Sequence, residues 1–182
     1  MAKAKLNSTS STVSDPPPSD GDSLGYAKTW LNNRLSDGAT CPCCKQFAKL
    51  YHRPFNSGMA HSLIWLVRAF TETKHDGYIH VPSMCTRAVM RNREFDKLAL
   101  HGVAETIQSE DPTVRSSGYW RPTALGIAVV KAGGTIHKSL DVYNGKIVSR
   151  SAAMIGIREA LGQKFDYEEL MHKSVADVLA SA

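Results

Sequence analysis

Cys41-Pro42-Cys43-Cys44 sets two thiols, those of Cys41 and Cys44, at C-x-x-C spacing, which lets a tight turn bring both sulfurs to one tetrahedral zinc ion. Closing such a site takes a second pair of ligands, and the chain has no second C-x-x-C. Cys43, His52, His61, His80 and Cys85 are the available donors, with His52 nearest in sequence. The expectation is one structural zinc held by Cys41, Cys44 and His52, against the simpler alternative of a metal-free turn whose thiols pack as small apolar groups. Three of the four cysteines fall within four residues, a spacing at which local disulfides are strained, so a reducing compartment is expected. Thioredoxin-like chemistry would need a βαβ pattern around the pair, and none is present.

Other catalytic signatures are missing from the sequence. Its 7 histidines are scattered with no H-E-x-x-H, and there is no phosphate-cradling glycine loop. Ser116-Ser117-Gly118 lacks the G-x-S-x-G elbow of a hydrolase nucleophile. The expectation is a non-enzymatic protein. Charge suggests what it binds instead. The chain carries 22 Lys and Arg against 17 Asp and Glu, a net +5, and the excess is concentrated. Residues 41–150 hold 15 basic and 8 acidic side chains, while the flanking stretches are neutral or acidic. A cationic middle suits a polyanion such as nucleic acid.

The elements that would position these residues follow from periodicity. Residues 1–24, rich in Ser, Asp and Pro, read as a disordered tail, and residues 25–55 as a helix plus the cysteine knuckle. A long amphipathic helix is expected from Asn56 or Ser57 to about Thr73, on the stripe Ala60, Leu63, Ile64, Val67 and Phe70. A short strand at residues 78–81 leads into a helix opened by Pro82, and a third helix runs from near Arg93 to a stop at Gly102. Strands follow at residues 103–108 and 119–121, then a helix capped by Thr123 and stopped by Gly133-Gly134. Asn144-Gly145 between two alternating runs marks a hairpin. Residues 151–182 are expected to form short helices, one over residues 152–161 and one capped by Asp166. No run is long and apolar enough for a membrane helix, and a cytoplasmic location is expected.

Helix, strand, helix, helix and a two-stranded excursion is the order found in winged helix-turn-helix domains, and residues 78–120 resemble that family. Lys97-Leu98-Ala99-Leu100-His101-Gly102-Val103 is similar to its helix-to-wing junction. With the CPxC knuckle and the stretch Ala160-Leu161-Gly162-Gln163-Lys164-Phe165-Asp166-Tyr167-Glu168-Glu169-Leu170, the chain also resembles a group of small bacteriophage and prophage proteins. These resemblances imply an α+β fold, a winged helix-turn-helix core at residues 56–150 with an additional C-terminal β-hairpin and short helices. They imply double-stranded DNA binding by a phage-type transcriptional regulator or accessory factor in the host cytoplasm. The third helix would enter the major groove. Arg87, Arg91, Asn92, Arg93 and Lys97 match its contacting positions, with Arg115 and Arg121 on the wing. Glu94 and Asp96 stand beside them and would repel phosphate. The rival expectation is a module that docks on a host or phage protein, and a homo-oligomer is a further candidate assembly.

Overall fold

In a computed structural model, which describes residues 15–72, 77–85, 89, 94–109, 113 and 117–172, Ser23 caps the first helix. Its hydroxyl accepts from the Tyr26 amide at 3.1 Å, and α1 spans Leu24–Asn32. Residues 15–23, which composition alone assigns to the tail, supply acceptors to this helix. The Trp30 indole and the Arg34 guanidinium donate to the Asp15 carbonyl at 3.2 and 2.8 Å, and the Tyr26 hydroxyl donates to Pro16 O at 3.1 Å. Arg34 also lies 4.3 Å over the Trp30 ring. The cysteine segment, expected as an irregular loop or knuckle, folds as a hairpin. In it β1 (Ala39–Thr40) pairs antiparallel with β2 (Phe47–Ala48), and strands of two residues are too short to show a period in sequence. These elements belong to one unit, Met1–Tyr51, and the rest of the chain forms a second, His52–Ala182.

The second unit is organised around α2 (Ser57–Glu72), started by Asn56, whose side-chain oxygen accepts from the Met59 amide at 2.9 Å. Met59, Leu63, Leu66 and Val67 are wholly buried, each burial stabilising the fold by about 1.5–3 kcal/mol. Even Ser62 and Arg68 are buried on this helix, so it is enclosed on nearly every side rather than along one stripe.

Next come β4 (Ile79–His80) and the one-turn α3 (Val81–Met84) with Pro82 in its first turn. Val89 is helical and wholly buried, and α4 (Phe95–Leu100) follows. Gly102, at φ +73°, releases the chain into β5 (Ala104–Thr106), and β6 (Tyr119–Pro122) returns beside it. The three strands make one antiparallel sheet in the order β4-β6-β5, with Trp120 opposite both Ile79 and Thr106. Thr123 then caps α5 (Ala124–Lys131), accepting from the Gly126 amide at 3.1 Å.

After α5 the chain forms β7 (Thr135–His137), β8 (Ser139–Tyr143), β9 (Lys146–Arg150) and β10 (Met154–Gly156). Asn144 and Gly145 turn β8 into β9 with φ values of +48° and +72°, as the Asn-Gly pair requires. β8 is the middle strand of a second sheet, between β9 and β3 (Tyr51–Pro54). The chain closes with α6 (Ile157–Leu161) and α7 (Tyr167–His172). Asp166 caps α7, its carboxylate accepting from the Glu169 amide at 2.7 Å. The helix expected over residues 152–161 begins only at Ile157, because residues 154–156 pair with β7 and bury Ile155 beside Ile136. Against α2 pack β6, α4, α5, α6 and α7.

Candidate nucleic-acid interface

α4 is six residues long and is held by two side chains. Leu98 is wholly buried, and Phe95 meets the Trp65 ring edge-on at 6.3 Å and the Trp120 ring at 5.7 Å. Asp96 is exposed and Lys97 half-buried, so these carry the polar side of the helix. Lys97 Nζ lies 2.8 Å from Glu94 Oε2, out of hydrogen-bonding direction, which makes the pair a coulombic contact. Arg87, Arg91, Asn92, Arg93 and Arg115, the other sequence-derived candidates on the helices and wing, lie outside the described residues.

Arg121 stands on β6, hydrogen-bonded and ion-paired to Glu105 directly across the strand pair. Its guanidinium also covers the Tyr78 ring at 4.8 Å. The hydrogen bond to Glu105 is the main reason its pKa is raised above the ordinary arginine value. Both described cations therefore have a neighbouring carboxylate. The Arg121–Glu105 pair is exposed and weak, so a phosphate can replace its carboxylate at small cost, whereas the Glu94 side chain beside Lys97 is only 13% exposed. The same sheet exposes Tyr119, whose ring packs 4.8 Å from that of His80, and Ile107 just beyond β5.

Cys41 and Cys44 lie in a tight turn at C-x-x-C spacing. Backbone N–H groups of Cys44 and Cys43 approach the Cys41 sulfur and lower its pKa, the arrangement that favours a thiolate ligand. The turn is closed by Cys41 N donating to Gln46 O at 2.8 Å and Lys45 N donating to Cys41 O at 2.9 Å. Among the described residues no group of three or more His, Cys, Asp or Glu side chains is arranged around a metal position. His52 Nδ1 meets Asp141 Oδ1 at 2.9 Å, leaving Nε2 for any other partner. Asp141 also accepts from the Ser149 hydroxyl at 2.6 Å, and these two hydrogen bonds, Ser149 first, lower its pKa. The row His52, Asp141, Ser149 is no hydrolase triad, because the serine donates to the carboxylate and not to the imidazole.

His101, which carries no catalytic motif in the sequence, is the C-cap of α4. It is 8% exposed and packs edge-on against Phe55 at 5.3 Å. Burial pushes its pKa down from 6.5 to about 4, against a smaller opposing effect of its hydrogen bond to the Arg53 backbone. A histidine whose folded pKa is depressed binds its proton more readily when unfolded, so stability is full above pH 6.5 and is lost as pH falls from there toward 4. Lowering pH from 7 to 5 should remove about 2 kcal/mol through this group, read as a drop in the urea midpoint that is smaller in His101→Gln. His61, whose pKa is also lowered by burial, adds in the same direction.

Protein-family models, curated proteins and solved structures offer no match to the chain.

Proposed function

We propose that this chain is a non-enzymatic double-stranded DNA-binding protein built on a winged helix-turn-helix, acting as a phage-type transcriptional regulator or accessory factor. The observation that carries the reading is the sheet order β4-β6-β5 with α4 entered just before β5. In that arrangement the helix preceding the first wing strand is the one offered to the major groove, and the β5–β6 connection reaches the neighbouring backbone. Lys97, Arg115 and Arg121 are assigned to phosphate, and Arg87, Arg91, Asn92 and Arg93 to the groove and its rim. The excess positive charge of residues 41–150 supports the same partner.

Lys97→Glu and Arg121→Glu are each expected to weaken binding to mixed-sequence duplex about tenfold at low salt. Glu94→Gln, which frees Lys97, is expected to tighten it. Fluorescence anisotropy with a labelled duplex checks both directions, and three variants indistinguishable from the parent would overturn the assignment.

The exposed Tyr119 and Ile107 favour a second reading, a protein-docking wing on the same fold. Tyr119→Ala that abolishes capture of a phage or host protein while sparing duplex binding would select it. The proposal also assigns one structural zinc to Cys41 and Cys44. Chelator-free preparations should then hold about one zinc per chain, and a ratio near zero with the fold intact rejects the ion. No described helix is long and apolar enough to cross a membrane.

A further inference from the structure

We propose that the outer face of the β4-β6-β5 sheet is a stacking platform for the unpaired bases of single-stranded DNA. Side chains alternate between the two faces of a strand, and in this sheet they divide by chemistry. Ile79, Ala104 and Trp120 are buried in the core, where α2 packs on β6. Tyr119 and Arg121, the neighbours of Trp120 on β6, therefore take the other face, with His80 opposite Tyr119 and Glu105 opposite Arg121. Tyr78, the residue before β4, joins them, because its ring lies under the Arg121 guanidinium at 4.8 Å.

The face thus carries planar groups in two rows. One row is His80 and Tyr119, whose ring centroids are 4.8 Å apart and whose planes are tilted by 43°. The other is Tyr78 and Arg121, and a guanidinium is itself a plane on which a base stacks. Ser83 Oγ lies 2.9 Å from His80 Nδ1 and 3.0 Å from His80 O, which fixes the orientation of the imidazole. Tyr119 is 41% exposed, while Tyr78, His80 and Arg121 are half-buried.

The spacing of the rows selects an unpaired strand. Two residues along an extended strand advance about 6.8 Å, whereas a stacked nucleotide strand advances only ~3.4 Å per base. Consecutive bases placed on the two rows are therefore drawn out of their own stack and lie on protein instead. That state is open to a single strand and closed to a duplex, whose base faces are covered by their neighbours. Charge agrees with the same occupant. Arg121 gives the face its cation, and residues 41–150 around it hold 15 basic against 8 acidic side chains. Glu105 is the opposing acid, and its exposed pair with Arg121 yields to a phosphate. An acidic peptide without aromatic side chains would satisfy the charge and leave the rings without a stacking partner, so a strand of bases is the better occupant. The choice of DNA over RNA rests on the duplex reading above, in which Arg121 is given to DNA phosphate; the platform itself does not.

Fluorescence anisotropy of the full chain with labelled oligomers tests the proposal. A strand of about twelve thymidines is expected to bind about tenfold more tightly than an abasic strand of the same length, which keeps every phosphate and lacks every base. Tyr119→Ala is expected to weaken the thymidine strand about tenfold, and Tyr119→Phe to stay within about twofold of the parent, since the ring and not the hydroxyl stacks. Equal binding of the abasic strand, an unaffected Tyr119→Ala, a Tyr119→Phe as weak as the alanine variant, tighter binding of a uridine strand of the same length, or no single-strand binding at ~100 µM would each overturn the proposal. Duplex affinity is measured in the same series, and Tyr119→Ala is expected to leave it unchanged. Single-strand binding without duplex binding sinks the duplex reading alone, and duplex binding without single-strand binding sinks only the platform.

Discussion

Trp120→Ala should lower stability by about 3–5 kcal/mol, a large share of the ~5–15 kcal/mol that holds a domain of this kind together. The indole is 3% exposed on β6, the strand that joins the other two of its sheet, and it packs against Phe95 of α4 at 5.7 Å. Truncation therefore opens a cavity where sheet and helix meet, and α2, which packs on β6, loses part of its support as well. Urea denaturation followed by tryptophan fluorescence and circular dichroism measures the effect. Trp120→Phe, which keeps most of the volume, should cost less than half as much. If both substitutions cost under 1 kcal/mol, α4 is not anchored by this contact.

Gly126→Ala is the second large expectation, and it is informative because propensity and packing disagree in sign. In an exposed helix the change would stabilise by about 1 kcal/mol. In α5 a Cβ at this position would stand 2.1 Å from the Val103 carbonyl oxygen and 3.0 Å from its carbon. Those are backbone atoms and cannot swing aside. The Val103 carbonyl also accepts from the Thr123 amide at 3.1 Å, and the Thr123 side chain caps α5, so moving the helix away disturbs its own start. A loss of about 3 kcal/mol or more is expected, the upper end for overpacking. A gain in melting temperature would show that α5 and the residue before β5 are not in close contact.

The parts of the fold legible in sequence were those with local causes. Asn144-Gly145 specifies its turn by positive φ, Thr123 and Asp166 cap helices through hydrogen bonds three residues long, and Gly102 stops α4 at φ +73°. What escaped was non-local. Ala152-Ala153-Met154 favour a helix by propensity, yet residues 154–156 become a strand because Ile155 and Ile136, nearly twenty residues apart, are buried together. The hairpin around the cysteines is held by four strand residues, below any readable period.

The candidate sites divide the same way. Lys97 and Arg121 are found from charge and spacing, but Glu94 and Glu105 as their partners are not, since the second pairing depends on the register of β5 with β6. His101 belongs to no motif, and only tertiary packing brings the C-cap of α4 against Phe55.

The central claim, that this chain binds duplex DNA through a cationic face, is tested most directly by the dependence of duplex affinity on salt. Binding of the parent chain across 50 to 300 mM salt should fall linearly on logarithmic axes with a slope of several units, and Lys97→Glu and Arg121→Glu should each reduce that slope by about one. Weak binding with a flat salt profile, the same in parent and variants, would contradict it.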